Sequence, residues 1–195
     1  MINANGGGAP RSPDDRPAHK EADSADPWYI GVISPGLIER PIDFLFAEHQ
    51  RQRQAANILQ HISGGGFDKK GVKKLVEFLE TDFAIHVADE ELSFFPLLKQ
   101  HCLPEDKIED IIARFAGDHK KDEATVARMI DILKGLLAGT PLSQDDSGAL
   151  HRFSEHVLQH LALENAVLLP IARARLDTAA LGVLSGMMKE RRNPK

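Results

Sequence analysis

The stretch DKKGVKKLVEFLETDFAIHVADEELSFFPLLKQH, residues 68–101, decides how the chain folds. Val72, Leu79 and His86 are spaced by seven, and Leu75, Val76 and Phe83 fill the neighbouring turns, so the apolar positions draw one stripe along a helix. His86 falls on that stripe, Glu90 shares its face one turn later, and Phe94 and Leu97 continue it. A histidine and a glutamate therefore interrupt a face that should be buried. No alternating strand pattern competes with the helical spacing.

Three further segments carry the same period, at roughly 41–62, 105–138 and 145–175. The joints between them are rich in helix breakers: Ser63 to Gly66, Leu103 to Asp106, and Gly139 to Asp146. Long helices on short joints must run antiparallel to their neighbours, which predicts an all-α, up-down-up-down four-helix bundle. A shorter helix at 178–191 should follow, capped by Asp177 and closed by the basic turn Lys189, Arg191 and Arg192. Residues 1–27 hold Pro10, Pro13, Pro17, Pro27 and a triple glycine but no Leu, Val or Phe. The expectation is a disordered tail over 1–30 and one bundle domain over 31–192, with Trp28 and Tyr29 docking the end of the tail.

The stripes share one peculiarity. The first segment runs Ile42, Leu45, Phe46, His49, Ala56, Leu59; the third runs Ile112, Phe115, His119, Val126, Leu133; the fourth runs Leu150, Phe153, Val157, His160, Glu164, Val167, Ile171. Each of the four helices thus points one histidine into the core. The segments His86-Val-Ala-Asp-Glu90-Glu-Leu-Ser-Phe-Phe-Pro96 and His160-Leu-Ala-Leu-Glu164-Asn-Ala-Val-Leu-Leu-Pro170 match, with Glu four and Pro ten residues after His. His49 and His119 are 70 apart and His86 and His160 are 74 apart, the mark of a duplicated helix pair.

The His-x-x-x-Glu spacing alone carries little, because it also occurs at His101/Glu105, His119/Glu123 and His151/Glu155. Pro104 breaks the first of these, and His151 lies about 180° round its helix from His160. Glu123, one turn beyond an inward histidine, stays open as a rival carboxylate. His156, four before His160, is open as an extra ligand, a hydrogen-bond partner of a ligand, or a packed neighbour. His19, His61, His101 and His151 are read as tail or surface.

Composition narrows the chemistry. The 195 residues carry a formal net charge of −5, which suggests neither a nucleic-acid surface nor a polybasic membrane anchor. No apolar run is long enough to span a bilayer or to read as a secretory leader, so the expected location is the cytoplasm. Cys102 is the single cysteine, which removes disulfide frameworks and cysteine-built zinc or iron-sulfur sites and fits a reducing compartment; it is read as an ordinary free thiol. Buried Glu90 and Glu164 would cost several kcal/mol each if unpaired, and bound metal offsets that. Imidazole and carboxylate without thiolate suit iron or manganese, with zinc as a third candidate. Two metals could each take two histidine nitrogens and one oxygen from each bridging glutamate, with an oxo or hydroxo bridge between them and a position left for a small molecule.

The ordered set His49, His86-x-x-x-Glu90, His119, His160-x-x-x-Glu164, with the trailing Phe-Phe-Pro and Leu-Leu-Pro, resembles the hemerythrin-like family of HHE cation-binding domains over roughly residues 41–175. The resemblance implies a four-helix bundle holding a non-haem di-iron centre. It further implies that His49 and His160 bind one iron, His86 and His119 the other, and that Glu90 and Glu164 bridge them. The chain departs from the oxygen-carrying hemerythrins, which add a histidine in the third helix and an aspartate in the fourth. Its ligand set looks more like the four-His, two-Glu centres of iron-sulfur-cluster repair proteins, whose cysteine-bearing N-terminal domain is lacking here.

The functional expectation is a di-iron protein that binds or reduces O2, NO or peroxide, or handles iron, in oxidative or nitrosative stress, drawing electrons from a donor the sequence does not name. The alternative is a module that senses oxygen or iron without turnover. A metal-free bundle with hydrogen-bonded polar layers would require four inward histidines by coincidence. A ferritin-like centre would require Glu-x-x-His pairs that are absent at these positions.

Overall fold

The computed structural model describes residues 26–193, and all its regular structure is helical. The expected tail falls largely outside the described residues, and the described chain begins by docking. Trp28 lies so close to Gly71 that a Cβ there would sit 2.5 Å from the indole, so only glycine fits opposite it. The indole also meets the His61 ring edge-on, with centroids 4.9 Å apart.

Helix α1 (Pro41–Ser63) opens on a proline, whose fixed φ and missing N–H suit the first helical position. The second rod is built from α2 (Lys69–Glu80), α3 (Asp82–Asp89), a π turn (Glu90–Phe94) and α4 (Phe95–His101). Asp68 caps α2 by accepting from the Gly71 N–H at 2.6 Å. Helix α5 (Ile108–Leu137) is the third rod. The fourth is α6 (Gln144–Leu163), a second π turn (Glu164–Leu168) and α7 (Leu169–Arg175). Asp177 caps α8 (Thr178–Arg192) as the sequence predicts, accepting from the Ala180 N–H at 2.8 Å.

Two apolar clusters occupy the two ends of the bundle. One joins Ile42 and Leu45 of α1, Phe94 and Leu98, Ile112 and Phe115 of α5, and Leu168 and Ala172. The other joins Ile58 and Leu59 of α1, Leu75 and Leu79 of α2, Met129 and Leu133 of α5, and Leu150 and Leu161 of α6. The chain therefore runs from the first cluster to the second in α1, back in the second rod, out again in α5 and back in the fourth, which is the up-down-up-down order. On every rod the inward histidine lies between the clusters, so the polar side chains form one layer across the middle. Helix α8 seals the first cluster with Ala180, Leu184 and Met188.

Both π turns begin at the glutamate of the repeat, and the proline comes six residues after it. The Phe95 N–H bonds to the Glu90 carbonyl and the Leu169 N–H to the Glu164 carbonyl, five residues back rather than four. Each proline, Pro96 and Pro170, sits in the first turn of the helix that resumes, where its ring would crowd the carbonyl of an undistorted helix. The extra residue shifts the stripe. Leu168 and Ala172 are buried where a plain helix would have placed Val167 and Ile171. Phe46, counted on the first stripe, instead faces outward with 44% of its surface exposed.

Candidate metal centre

The middle layer holds His49, His86, Glu90, His119, His160 and Glu164, drawn from all four rods, and all are buried or nearly so. Their donor atoms fall into two groups, each within 4.8 Å of one another. His49 and His86 share one group with Glu90 and Glu164; His119 and His160 share the other with the same glutamates. The glutamates thus stand between two histidine pairs. This grouping differs from the one the family resemblance implies, which joins His49 to His160 and His86 to His119. His119 and His160 come from neighbouring rods, and their Nε2 atoms lie 3.2 Å apart. His49 and His86 meet edge to face, with ring centroids 5.1 Å apart.

Apart from His119 Nε2 to His160 Nε2 and His160 Nε2 to Glu164 at 3.1 Å, the contacts are long for hydrogen bonds and fit donors that share a cation. His49 Nε2 lies 3.7 Å from Glu90 and 3.5 Å from Glu164, His86 Nε2 3.5 Å from Glu90, and His119 Nε2 3.4 Å from Glu90. Both oxygens of Glu90, both of Glu164 and His49 Nε2 are buried without a hydrogen-bond partner. Buried carboxylate oxygens are rarely left so, because each forfeits its hydration with nothing in return. A divalent cation in each group would satisfy them, and hard oxygen donors with imidazole suit iron or manganese.

The outer nitrogens of two rings are tied back. His49 Nδ1–H donates to Asn165 Oδ1 at 2.7 Å and His119 Nδ1–H to Glu91 at 2.8 Å. In both rings this holds the proton on Nδ1 and turns Nε2 to the centre, where it would bind metal once it carries no proton. Asn165 follows Glu164 and Glu91 follows Glu90 in sequence, and both ride on the π turns. Neither was singled out in the sequence, because a residue one step from Glu90 or Glu164 on a regular helix should point about 100° away.

The charges respond to the crowding. Burial and the neighbouring Glu164 push Glu90 above the usual carboxylate range. Burial would raise Glu164 too, but His160 and His49 hold it below that range. Burial disfavours the charged form of His49 and His160, yet the adjacent carboxylates outweigh it and raise both. Burial, with the positive charge of His49 beside it, drives His86 well down, so its ring is neutral.

The remaining candidates stand outside. Glu123 is exposed on the outer side of α5 and joins neither donor group. His156 joins neither; its Nε2 pairs with Asp122 at 3.1 Å, one layer out from His160. His61 and His151 are exposed and His101 is half-buried at the end of α4, while His19 lies outside the described residues. Burial and the nearby Asp106 push the Cys102 thiol up, which keeps it protonated.

A further carboxylate supports the layer. Asp89, fully buried beside Glu90, pairs with both Arg191 and Arg192 of α8, the latter at 2.6 Å, and Arg191 also donates to Ser93 Oγ at 3.0 Å. Arg192 stacks on the Phe44 ring at 4.7 Å. The C-terminal helix therefore grips both ends of the first π turn.

Among the described residues no helix is long and apolar enough to cross a membrane. The model of the hemerythrin HHE cation binding domain matches residues 40–172, which span the four rods and all six donors but stop short of α8. No curated protein matches the chain.

Proposed function

The chain belongs to the hemerythrin HHE cation-binding family, and from that premise we propose that it is a non-haem di-iron protein which binds or reduces a small ligand such as O2, NO or peroxide. The observation that carries this reading is the set of four carboxylate oxygens of Glu90 and Glu164, buried without hydrogen-bond partners between two histidine pairs. His49 and His86 would hold one metal, His119 and His160 the other, with the glutamates shared. Bound iron would supply Lewis acidity and electron transfer towards the small ligand. The residues of the chain supply the rest: Asn165 and Glu91 orient two of the rings, and the two apolar clusters keep bulk water from both ends of the layer.

One groove leads towards the centre. Phe83, Val87, His119 and Asp122 line both a cavity of about 10 Å³ against the centre and an outer groove of about 510 Å³ between the second rod and α5. A small ligand has a short route from that groove, whereas a large substrate would not reach the donors. We place the protein in the reducing cytoplasm, in a response to oxidative or nitrosative stress, with electrons drawn from a separate donor.

The test is metal analysis of the purified protein together with its visible spectrum. About two irons per chain with bands of oxygen-to-iron charge transfer are expected. Folded protein that takes up no iron when offered ferrous ion anaerobically would overturn the reading. Consumption of peroxide or NO by the reduced, loaded protein distinguishes turnover from simple binding.

A further inference from the structure

The groove of about 510 Å³ between the second rod and α5 is far larger than a diatomic ligand needs, and its volume is that of a site for a small organic molecule. Leu79, Phe83 and Val87 wall it on one side and Ala116 and Val126 on the other. His119 lines it too; His49, His86 and His160 do not. The His119 Nδ1–H donates to Glu91 at the edge of the groove, and its Nε2 faces Glu90 of the central layer at 3.4 Å. A molecule seated in the groove therefore lies one imidazole ring from the layer without entering it.

The charged groups of the lining narrow the occupant. Glu91, Asp122 and Glu123 stand against the single ammonium of Lys120. That surplus of negative charge repels anions, so a nucleotide or another phosphorylated carrier is disfavoured. Glu123 is exposed and its carboxylate has no partner among the described residues, which leaves it free to accept a hydrogen bond. Apolar walls with acceptors at the rim suit a flat, neutral ring that carries hydroxyl donors.

We infer that this groove is the docking site of the electron donor, and that the donor is a neutral hydroquinone. The inference rests on the proposed di-iron centre and extends it. The ring of the donor lies against the apolar walls, and its hydroxyls donate to Glu123 and to the Glu91 oxygen that His119 leaves unused. On oxidation both O–H bonds break and the ring becomes a quinone. Its two protons pass to water at the mouth of the groove, and its two electrons pass through the His119 ring, one to each ferric ion, which becomes ferrous.

Duroquinone, whose four methyl groups block addition of the Cys102 thiol, is the neutral probe, and anthraquinone-2-sulfonate is the anionic one. Each is titrated into the full chain without metal while the methyl resonances of Val87 and Val126 are followed by NMR. Duroquinone should shift both, and the sulfonate should bind more weakly. Ala84 is exposed on the groove wall, so Ala84→Trp fills the groove from outside the core. That variant should keep its iron, bind duroquinone at least about tenfold more weakly, and be reduced by duroquinol at least about tenfold more slowly than wild type, read from the loss of the visible bands. Glu123→Lys, also at an exposed position, should bind the sulfonate about threefold to tenfold more tightly than wild type does. The duroquinone titration needs only wild type, so it decides the matter even if a variant fails to fold. Val87 and Val126 unmoved by duroquinone, tighter binding of the sulfonate by wild type, or equal rates of reduction in wild type and Ala84→Trp overturns the site and leaves the centre standing. Wild type that binds duroquinone but takes up no iron overturns the donor role together with the centre.

Discussion

The His49 ring donates its Nδ1–H to Asn165 Oδ1 at 2.7 Å, which joins the first helix to the π turn that carries Glu164. The bond reaches across 116 positions of sequence and holds the His49 ring and the segment carrying Glu164 in one frame. Replacing such an outer partner costs about tenfold to a hundredfold in metal affinity. Asn165→Ala should weaken iron binding by that factor while leaving the helical content unchanged. Competition with a calibrated chelator measures it, and unchanged affinity would show that the ring needs no tether.

The observed pairing makes a stoichiometric prediction. Glu90 and Glu164 belong to both donor groups, whereas each histidine belongs to one. Glu164→Ala should lose both irons; His86→Ala or His119→Ala should each retain about one. Elemental analysis with Mössbauer spectroscopy separates the cases, because the iron left by His86→Ala and that left by His119→Ala sit in different environments. Identical residual spectra from the two variants would contradict the pairing.

The raised histidines set how metal-free protein responds to pH. Their ordinary value is 6.5, and His49 and His160 lie above it in the folded state, since Glu90 and Glu164 outweigh the burial that would lower them. Between 6.5 and the raised values the folded chain holds more protons than the unfolded chain, so stability falls as pH rises. His86, lowered by burial, acts in the opposite sense below 6.5. Urea denaturation of metal-free protein should therefore show a midpoint that falls as pH rises above 6.5. Bound metal displaces the protons from both histidines, so the loaded protein should lose this slope and metal uptake should release protons. A midpoint that rises through the same range in the metal-free protein contradicts the assignment.

The contact of α8 with the first π turn has its own signature. Breaking a buried ion pair by removing one side typically costs about 3–5 kcal/mol, because the other charge is left uncompensated. Arg191→Ala combined with Arg192→Ala leaves Asp89 in that position and should destabilise the fold by about that amount. Adding Asp89→Asn should recover part of the loss, since a neutral amide is cheaper to bury than an unpaired carboxylate. Chemical denaturation of the three proteins tests this, and equal stabilities would show that α8 contributes only its apolar face.

Much of the centre was legible because helical period and burial are local properties of the sequence. His49, His86, His119 and His160 each fall on an apolar stripe, and Glu90 and Glu164 follow at one turn, so the six donors could be read before any contact was known. The partners Asn165, Glu91 and Asp89 were not legible. Each is adjacent in sequence to a bridging glutamate, and a regular helix would send it elsewhere; the π turns widen the helix by one residue and bring Asn165 and Glu91 to the rings. The duplicated proline was the visible trace of those turns. Phe46 shows the other failure: its spacing suits the stripe, but burial at its position depends on where the neighbouring rods lie.

The sequence by itself determined the all-α class, the antiparallel order of four rods and the six residues of the polar layer, because periodicity and joint length constrain these directly. Only the tertiary structure decided that His49 goes with His86 and His119 with His160, that α8 reaches back to Asp89, and that a groove opens beside His119 between the second rod and α5. Those are relations between rods. A stripe states which way a side chain points from its own axis but not which neighbour it meets, and that depends on how the four rods pack around one layer.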